Sequence, residues 1–552
     1  MIFDLDPKYQ FKSTTDLKKV KEIFTMCGSE WSGPLGADEF ANIFTSSFVQ
    51  VQQEGVRIIP YYIEDTSNGK VVASTLVTFQ KSLYKPADRS HFISSVPDPN
   101  LFGVKNVVSL LVSFVFTNKE YRKQGLAGAC VSRAIRSTED AIIDEKIEKS
   151  IDSHDGNFKK MTLNDSTGHM DKSLADYYLG KEYVWVLYSG VNTYYERFGF
   201  KSYPLDFYQI PTSSLSEGQL SMLSHLTKDS EQQATPDSNS PKVGKRIRFL
   251  DWDSNKDKEL IEFILQTKEL EILSELNKLV YHTELQSSHR SATSLTNMSS
   301  ILAMSKLGSG TALSSLTESK PKDEGQSSTL DPSRRKSSAL NQTTPKFAVK
   351  PSFDHFKRRA IESQQFARTE TAKKYSKLQG AILTNDLQQR SYYILWNVLK
   401  GSFFITGMGE ISYEGILGAP RRRDSSLTGL NELGGYNFQD LDLLISAAVV
   451  NAQNRGPNFN NVFVATTDLP SEIPAQVLYD FFLNYLPFSS YAAAEHREQK
   501  QTEREKGEEQ HKIELIANGA QKVGVLPMVR QFGSDSIEFE LDWLDNGMWC
   551  WG

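Results

Sequence analysis

The chain has 552 residues, of which 39% are hydrophobic and 24% are charged. At about 150 residues per domain, the chain is too long to form a single hydrophobic core. Its length predicts three or four domains, or two large domains with inserts. Its 62 Lys and Arg residues are outnumbered by 68 Asp and Glu residues. The net charge of -6 excludes the global basic field that would attract nucleic acid.

The cysteines and the apolar runs bear on disulfides, metal binding, membrane association and cellular location. Cys27, Cys130 and Cys550 are odd in number and lack CxxC spacing, and the nine histidines form no ligand motif. We therefore expect neither a disulfide framework nor a bound metal. The longest apolar run, Val107 to Phe116, is half the length of a membrane span, and residues 1–10 do not resemble a secretory signal. The sequence predicts no membrane association and a cytoplasmic location, with the nucleus as the alternative.

Polar tracts mark the predicted domain boundaries. In residues 286–345, 23 of 60 residues are Ser or Thr and none is Phe, Tyr or Trp, so this stretch is predicted to be disordered. A second polar tract ends at Gly244. These tracts divide the chain into a first domain (1–215), a linker (216–244) and a C-terminal domain (245–552) that contains the 286–345 insert.

Residues 1–215 alternate helical and extended patterns. Two stretches with helical periodicity come first, and Thr15 or Asp16 is the predicted N-cap of the first helix. Two extended apolar runs separated by the turn DTSNG then predict a hairpin. In chain order the predicted elements are helices at Asp16–Met26 and Asp38–Phe48, hairpin strands at Ile58–Glu64 and Val71–Phe79, and a long buried strand at Val107–Phe116.

A glycine-bearing turn follows the long strand and leads into a helix. Gly125 permits a backbone conformation that a side chain forbids, and Arg122 and Lys123 add positive charge. A helix N-terminus placed after such a turn presents free N–H groups that bind phosphate. The alternative interpretation is an ordinary tight strand-to-helix connection.

The pattern Arg122-x-x-Gly125-x-Ala127 after an apolar strand resembles the pyrophosphate loop of the GNAT acetyltransferases. A second segment agrees, because the predicted strand Tyr183–Tyr188 is followed by Tyr195-Glu-Arg-Phe-Gly-Phe200, which is similar to the family's Y-E-x-x-G-F element. The resemblance implies an α/β (α+β) GNAT fold with a mixed central sheet. One departure is Tyr188, which stands where many relatives have an Asn.

The resemblance also implies roles for individual residues. Acetyl-CoA would be the acyl donor, and the backbone of Phe116 and Thr117 would bond its pantetheine arm. Tyr195 would protonate the departing thiolate, with Tyr194 as a competitor and a packed core tyrosine as the alternative. The pyrophosphate would be cradled by Arg122, Lys123, Gln124, Gly125, Leu126, Ala127 and Gly128.

The C-terminal domain repeats a similar pattern in weaker form. It is predicted as a second GNAT-like α+β unit without a cofactor loop that supplies walls of the acceptor site, with an unrelated α+β domain as the alternative. The predicted elements are strands at Lys245–Trp252, Gly380–Thr384, Tyr392–Leu399, Gly401–Glu410, Asn461–Thr466 and Ser536–Leu541, and helices at Asp257–Tyr281, Asp440–Asn454 and Ala475–Tyr485.

Taken whole, the chain most resembles the fungal L-lysine N6-acetyltransferase family, which implies transfer of acetyl from acetyl-CoA to the side-chain amine of L-lysine in lysine degradation. A protein or peptide amine acetyltransferase and an inactive acetyl-CoA-binding scaffold are the alternatives. Candidate bases are Glu120 and the carboxylate of Gly552, by analogy with double-GNAT enzymes. The aromatic tail before Gly552 alternatively plugs the groove between the two halves. The oligomeric state is left open.

Overall fold

The computed structural model describes residues 5–33, 35–86, 104–152, 182–214, 244–291, 344–385, 390–399, 401–411, 438–471, 473–488 and 512–550. For residues 147–152 and 277–291 it describes the backbone only. The predicted linker up to residue 243 and residues 292–343 of the Ser/Thr-rich insert lie outside these ranges. Two mixed β-sheets and the helices packed on them make up the described fold.

Six strands from the N-terminal part of the chain contribute to the first sheet. They are β1 (Tyr9–Ser13), β2 (Ile58–Asp65), β3 (Lys70–Lys85), β4 (Lys105–Thr117), β5 (Tyr183–Ser189) and β6 (Lys201–Ser202). Strands β1 to β4 pair as antiparallel neighbours, whereas β4 and β5 are parallel. A parallel connection requires a crossover, and helix α3 (Leu126–Asp152) supplies it.

Helices cover both faces of this sheet. Helices α1 (Leu17–Trp31) and α2 (Ala37–Gln53) bury their apolar stripe against one face, and α3 packs on the other. The Asp16 carboxylate accepts a hydrogen bond from the Lys18 N–H at 3.0 Å, which satisfies an otherwise unpaired donor at the start of α1. The predicted helix and its N-cap are confirmed.

The second sheet consists of β7 (Phe207–Pro211), β8 (Lys245–Asp251), β10 (Leu378–Asn385), β11 (Arg390–Leu399), β12 (Ser402–Ile411), β13 (Asn461–Ala465) and β14 (Glu514–Ile516). Its helices are α4 (Asn255–Ser291), α5 (Phe353–Gln365), α6 (Glu370–Ser376), α7 (Phe438–Arg455), α8 (Ala475–Asp480) and α9 (Gly519–Val523). Strands β12 and β13 are parallel, and α7 connects them as α3 connects β4 and β5.

Each sheet contains, at the same place in its strand order, one strand from the other part of the chain. The first sheet has the order β1-β2-β3-β4-β5-β15-β6, in which β15 (Leu526–Gln531) comes from the C-terminal part of the chain. The second has the order β8-β10-β11-β12-β13-β7-β14, with β7 from the N-terminal part in the corresponding place. This shared order supports the predicted duplication. It also means that strand membership crosses the predicted boundary at residues 216–244.

Further contacts tie the C-terminal part to the first sheet. Strand β9 (Lys346–Val349) pairs with β3, and β16 (Asp542–Trp543) pairs with β9. Arg530 of β15 forms a buried ion pair with Glu139 of α3 at 2.5 Å. Glu139 also accepts hydrogen bonds from the indole N–H of Trp185 at 2.8 Å and the backbone N–H of Gly533 at 2.9 Å. Both parts of the chain therefore build the first sheet.

Most predicted elements are confirmed within a few residues, and so is the α/β class with mixed sheets. The prediction of a strand at Ser536–Leu541 was wrong, because this segment is irregular and the strands lie on either side of it, at β15 and β16. Helix α4 continues to Ser291, six residues into the stretch that was predicted to be disordered. No helix in the described ranges is long and apolar enough to cross a membrane.

Candidate functional site

A bulge in β4 opens the first sheet. Ser74 pairs with Phe116 and Leu76 pairs with Ser113, so two residues of β4, Phe114 and Val115, lie opposite one residue of β3. Phe114 has a φ of 49°. Pairing between β4 and β5 stops at Val112, although β4 continues to Thr117. The two strands separate beyond this point, where β4 has a backbone edge that β5 does not cover.

The loop after β4 has the backbone of an anion cradle. Lys123 and Gly125 both have left-handed φ values, 64° and 76°, on either side of Gln124. Such an alternation turns successive N–H groups toward one concavity. The N–H of Ala129 donates to the carbonyl of Gly125 at 3.0 Å as helix α3 begins, so the N–H groups of residues 126–128 precede the helix's first internal bond. The loop can therefore bind a phosphate group through its backbone.

The predicted loop residues differ in their surroundings. Residues 122–125 are exposed, whereas Leu126 and Gly128 are buried and Ala127 is half-buried at the start of α3. The exposed Arg122 guanidinium pairs with Glu30 at 2.5 Å and stacks 5.5 Å from the ring centre of Phe116. The Gln124 side chain accepts a hydrogen bond from the Tyr9 hydroxyl at 2.7 Å. Arg122 and Gln124 thus fix the loop to α1 and β1.

Thr117 is the residue of β4 whose backbone faces the separation. The N–H of Asn118 donates to the carbonyl of Val72 at 2.9 Å, so Asn118 and, by antiparallel alternation, Phe116 direct their backbone groups toward β3. Thr117 directs its groups the other way, and its carbonyl accepts a bond from Arg122 Nε at 3.2 Å. Of the two predicted pantetheine contacts, the geometry favours the Thr117 N–H.

Tyr195 lies in a 3₁₀ turn, Asn192–Phe198, that follows β5. Its ring is buried next to Tyr194, at 5.1 Å between ring centres, and Phe200, at 6.2 Å. Burial raises the pKa of its hydroxyl, so Tyr195 is protonated at neutral pH. No described group forms a hydrogen bond with this hydroxyl. Tyr194 is half-buried beneath the guanidinium of Arg197, 3.8 Å from its ring centre.

Tyr188 binds the C-terminal segment, which the sequence did not predict. Its hydroxyl donates to the carbonyls of Asn546 and Gly547, at 3.3 and 3.1 Å. A Cβ on Gly547 would approach an Asp468 oxygen to 2.0 Å, so only glycine fits here. Asp468 accepts from the N–H of Met548 at 2.8 Å. The segment therefore packs between β5 and the end of β13.

A buried lysine completes this contact. Lys268 of α4 pairs with Asp545 at 2.9 Å and lies 5.5 Å from the ring centre of Trp549. Burial by itself lowers the pKa of Lys268, but nearby negative charge, chiefly that of Asp545, raises it by more, and the ammonium stays charged. The segment up to Cys550 is thus packed in the protein as the plug interpretation expects. Gly552 lies outside the described residues, and its role as base stays a prediction.

The other base candidate, Glu120, is exposed and pairs with Lys70 at 3.3 Å. In the described part of the chain, no three His, Cys, Asp or Glu side chains are grouped as metal ligands would be. Cys27, Cys130 and Cys550 are all buried free thiols.

Two cavities border helix α5, and the first of them lies on the face of the first sheet that carries α1 and α2. The bulge cavity, with about 470 Å³ of space that includes some open solvent, touches Ser113 and Phe114 of β4 and is closed on one side by α5. The inner cavity, with about 500 Å³ counted in the same way, lies between α4, α5, β11 and β12, and Met548 and Trp549 line it. Arg359 of α5 borders both cavities.

His355, which lines the inner cavity, is expected to make the stability of the protein depend on pH. It is buried, its Nε2 lies 3.3 Å from Gln80 Nε2, and burial, with Arg358 and Arg359, lowers its pKa well below 6.5. The folded protein keeps His355 neutral below pH 6.5 while the unfolded chain binds a proton there. We expect a stability loss of about 1.4 kcal/mol per pH unit from this group between pH 6.5 and 5.

This loss is measured as the change in unfolding free energy between pH 7.5 and 5.5 for the wild type and His355→Gln. The variant is expected to lose less stability over this interval. An equal pH dependence in both proteins would contradict a buried neutral His355.

No protein-family model and no curated protein matches the sequence. Solved structures with a weak overall similarity include a probable N-acyltransferase from Enterococcus faecalis V583, with 8% identity, a TM-score of 0.34, and 95% of this chain and 73% of that chain covered. A GCN5-related N-acetyltransferase from Kribbella flavida has 8% identity and a TM-score of 0.33, with coverages of 95% and 72%. Saccharomyces cerevisiae N-myristoyltransferase with bound myristoyl-CoA has 9% identity and a TM-score of 0.31, with coverages of 84% and 78%. Similarities at this level do not establish a family.

Proposed function

We propose that the protein is a GNAT-type N-acyltransferase that transfers acetyl from acetyl-CoA to a primary amine, with the side-chain amine of L-lysine as the acceptor. The observation that carries this proposal is the position of the 122–128 loop, which has left-handed residues at Lys123 and Gly125 and lies at the end of a bulged strand that separates from its parallel neighbour. The choice of lysine rests on the sequence resemblance alone.

The donor fits this arrangement in two places. The pyrophosphate of acetyl-CoA binds the loop and the N-terminus of α3, where N–H groups and the helix dipole stabilise negative charge. The pantetheine arm runs along the uncovered edge of β4, where the N–H of Thr117 is oriented to bond it. This places the thioester at the bulge, beside the cavity that touches Phe114.

The acceptor must lose a proton before it can attack. The side-chain amine of free lysine has a pKa of about 10.4, so removing its proton at pH 7 costs roughly 4 to 5 kcal/mol. The site must therefore supply a proton acceptor. Attack of the neutral amine on the thioester carbon forms the carbon–nitrogen bond, the carbon–sulfur bond breaks to release the CoA thiolate, and the nitrogen gives up its second proton to the proton acceptor to leave the amide. A protonated Tyr195 is the proposed donor of the proton that the thiolate takes up.

Replacing Tyr195 with Phe is expected to lower kcat by about 100-fold, because a general acid typically contributes 10² to 10⁴ in rate. The change removes one buried hydroxyl and keeps the ring contacts. Tyr194→Phe is the matched control and should retain most of the activity. The readout is the rate of CoA thiol release at saturating acetyl-CoA, and equal activity of the two variants would assign the acid role to another group.

Thiol release with a panel of amines tests the proposed function and separates it from the alternatives. L-lysine, ornithine, polyamines and lysine-containing peptides are supplied with acetyl-CoA. Release that depends on L-lysine supports the proposal, and release with peptides alone indicates a protein or peptide acetyltransferase. Tight CoA binding without release to any amine indicates a scaffold.

A further inference from the structure

Helix α5 brings Arg358 to the bulge cavity. Arg358, Arg359 and Glu362 all border the cavity from this helix. Arg359 pairs with Glu362 at 2.9 Å, and Glu362 also accepts a hydrogen bond from Ser47 of α2 at 3.2 Å. In the described part of the chain, no carboxylate lies within 4.0 Å of the Arg358 guanidinium.

The surroundings of Arg358 make such an unpaired charge costly. The side chain is half-buried, and burial together with the charge of Arg359 lowers its pKa to about 10, although the charges of Glu362, Glu54 and Asp354 oppose that shift. It therefore remains protonated at neutral pH. The neighbouring carboxylate of Glu54 is already paired with Lys357 at 2.7 Å. An anionic group in the cavity would relieve this cost, since a buried charge is stabilised when it is paired and hydrogen-bonded.

Aromatic and aliphatic side chains line most of the rest of the cavity, together with the hydroxyl side chains of Ser47, Thr78 and Ser113. Phe24, Phe44 and Phe114 line it, and Phe44 and Phe114 contact each other at 5.2 Å between ring centres. Phe114 belongs to the bulge itself, so the aromatic wall extends from α1 and α2 to the point where the thioester is proposed to lie.

We propose that the bulge cavity selects amine acceptors that carry a carboxylate, with Arg358 binding that carboxylate while an aliphatic stem crosses the aromatic wall toward the bulge. The inference rests on the proposed acyl transfer and specifies its acceptor class: a free amino acid whose reactive amine is separated from its carboxylate by an aliphatic chain. A guanidinium is suited to this role because it bonds both oxygens of a carboxylate.

The test compares two acceptors that differ only in the carboxylate. L-lysine and its decarboxylated counterpart 1,5-diaminopentane are each supplied with acetyl-CoA to the wild type and to Arg358→Met. The wild type should use lysine with a kcat/KM at least about 100-fold higher, because a site built to bond a polar group rejects the analogue that lacks it. Arg358→Met should raise the KM for lysine by about 100-fold and leave the diamine nearly unchanged.

Two further variants keep the test decisive. Arg358→Lys retains the charge and should recover part of the preference for lysine, which shows that the loss in Arg358→Met is not a folding defect. Arg368→Met removes an exposed arginine that pairs with Glu39 at 2.9 Å, outside the cavity, and should behave as the wild type.

Equal use of the two amines by the wild type would overturn the inference, as would an equal loss for both amines in Arg358→Met, although acyl transfer itself would stand. Absence of thiol release with every amine, together with absence of CoA binding, would remove the proposed function and this inference with it.

Discussion

Replacing Arg530 with Met is expected to lower the free energy of unfolding by about 3 to 5 kcal/mol. Removing one partner of a buried ion pair leaves the other charge without compensation, which is the reason for so large an effect. Here the stranded group is Glu139 of α3, and the backbone carbonyl of Phe198 loses its bond from Arg530 Nε at 2.9 Å as well. Denaturant unfolding of both proteins measures the difference.

Arg57→Met is the matched control for this change. Arg57 also pairs with a carboxylate of α3, Glu145, at 2.9 Å, but both side chains are 44% exposed. An exposed pair contributes about 0 to 1 kcal/mol, so the control should lose no more than that. Similar losses in the two variants would contradict the structural importance of the contact between β15 and α3.

Because each sheet contains a strand from the other part of the chain, we expect the two sheets to unfold together. Because β15 completes the first sheet and β7 completes the second, neither sheet is complete without the other part of the chain. We therefore expect a single unfolding transition in the wild type, detected alike by circular dichroism and tryptophan fluorescence.

Replacing Gly125 with Val is expected to weaken acetyl-CoA binding by at least about 100-fold, or roughly 2.7 kcal/mol. A β-branched residue at a φ of 76° is strained, so the loop relaxes to a conformation in which its N–H groups no longer converge on the pyrophosphate. Within the described residues no atom lies within 4 Å of a Cβ built at Gly125, so a steric clash with them does not contribute. Calorimetric titration with CoA gives the affinity.

Gly401 offers a control with the same backbone strain. It has a φ of 75° in the turn between β11 and β12, and a Cβ there also meets no atom within 4 Å. Gly401→Val should lose a comparable amount of stability and keep the wild-type affinity for CoA. If both variants bind CoA equally well, the loop does not hold the pyrophosphate.

The sequence was informative where local patterns decide the structure. Helix α1 with its Asp16 cap, the hairpin of β2 and β3, and the long strand β4 followed from periodicity and turn residues. The glycine at position 125 indicated a backbone conformation that a residue with a side chain would avoid, and Gly125 does have a left-handed φ of 76°. The same local rules predicted a phosphate-binding loop before α3, and the structure has a turn with left-handed residues at Lys123 and Gly125 there.

Contacts between distant parts of the chain were not predictable in this way. Strand β15 is placed between β5 and β6 by tertiary pairing, and no local pattern in Leu526–Gln531 indicates which sheet it joins. Arg358 stands next to another arginine on a polar helix, and its approach to the bulge depends on how α5 packs against α2. Tyr188 was noted only as a departure from a family pattern, and its bonds to Asn546 and Gly547 depend on where the C-terminal segment folds back.

Helix α5 of the second part borders the proposed acceptor site, and the C-terminal segment lies on the same face of the first sheet. The helix supplies Arg358 and Arg359, and the segment packs at Tyr188. The second sheet has the strand order of the first, while its sequence lacks the R-x-x-G-x-A pattern. We infer that one half binds the acyl donor and that both halves enclose the acceptor.

Identification of the products by mass spectrometry tests the central proposal most directly. The wild-type protein is incubated with acetyl-CoA and L-lysine, and CoA and acetylated lysine are quantified over time. We predict that the two products form in equal amounts, that the acetyl group is on the side-chain amine, and that CoA release stops when lysine is omitted. CoA release at the same rate with and without any amine, or no acetylated product from any amine, would contradict acyl transfer at this site.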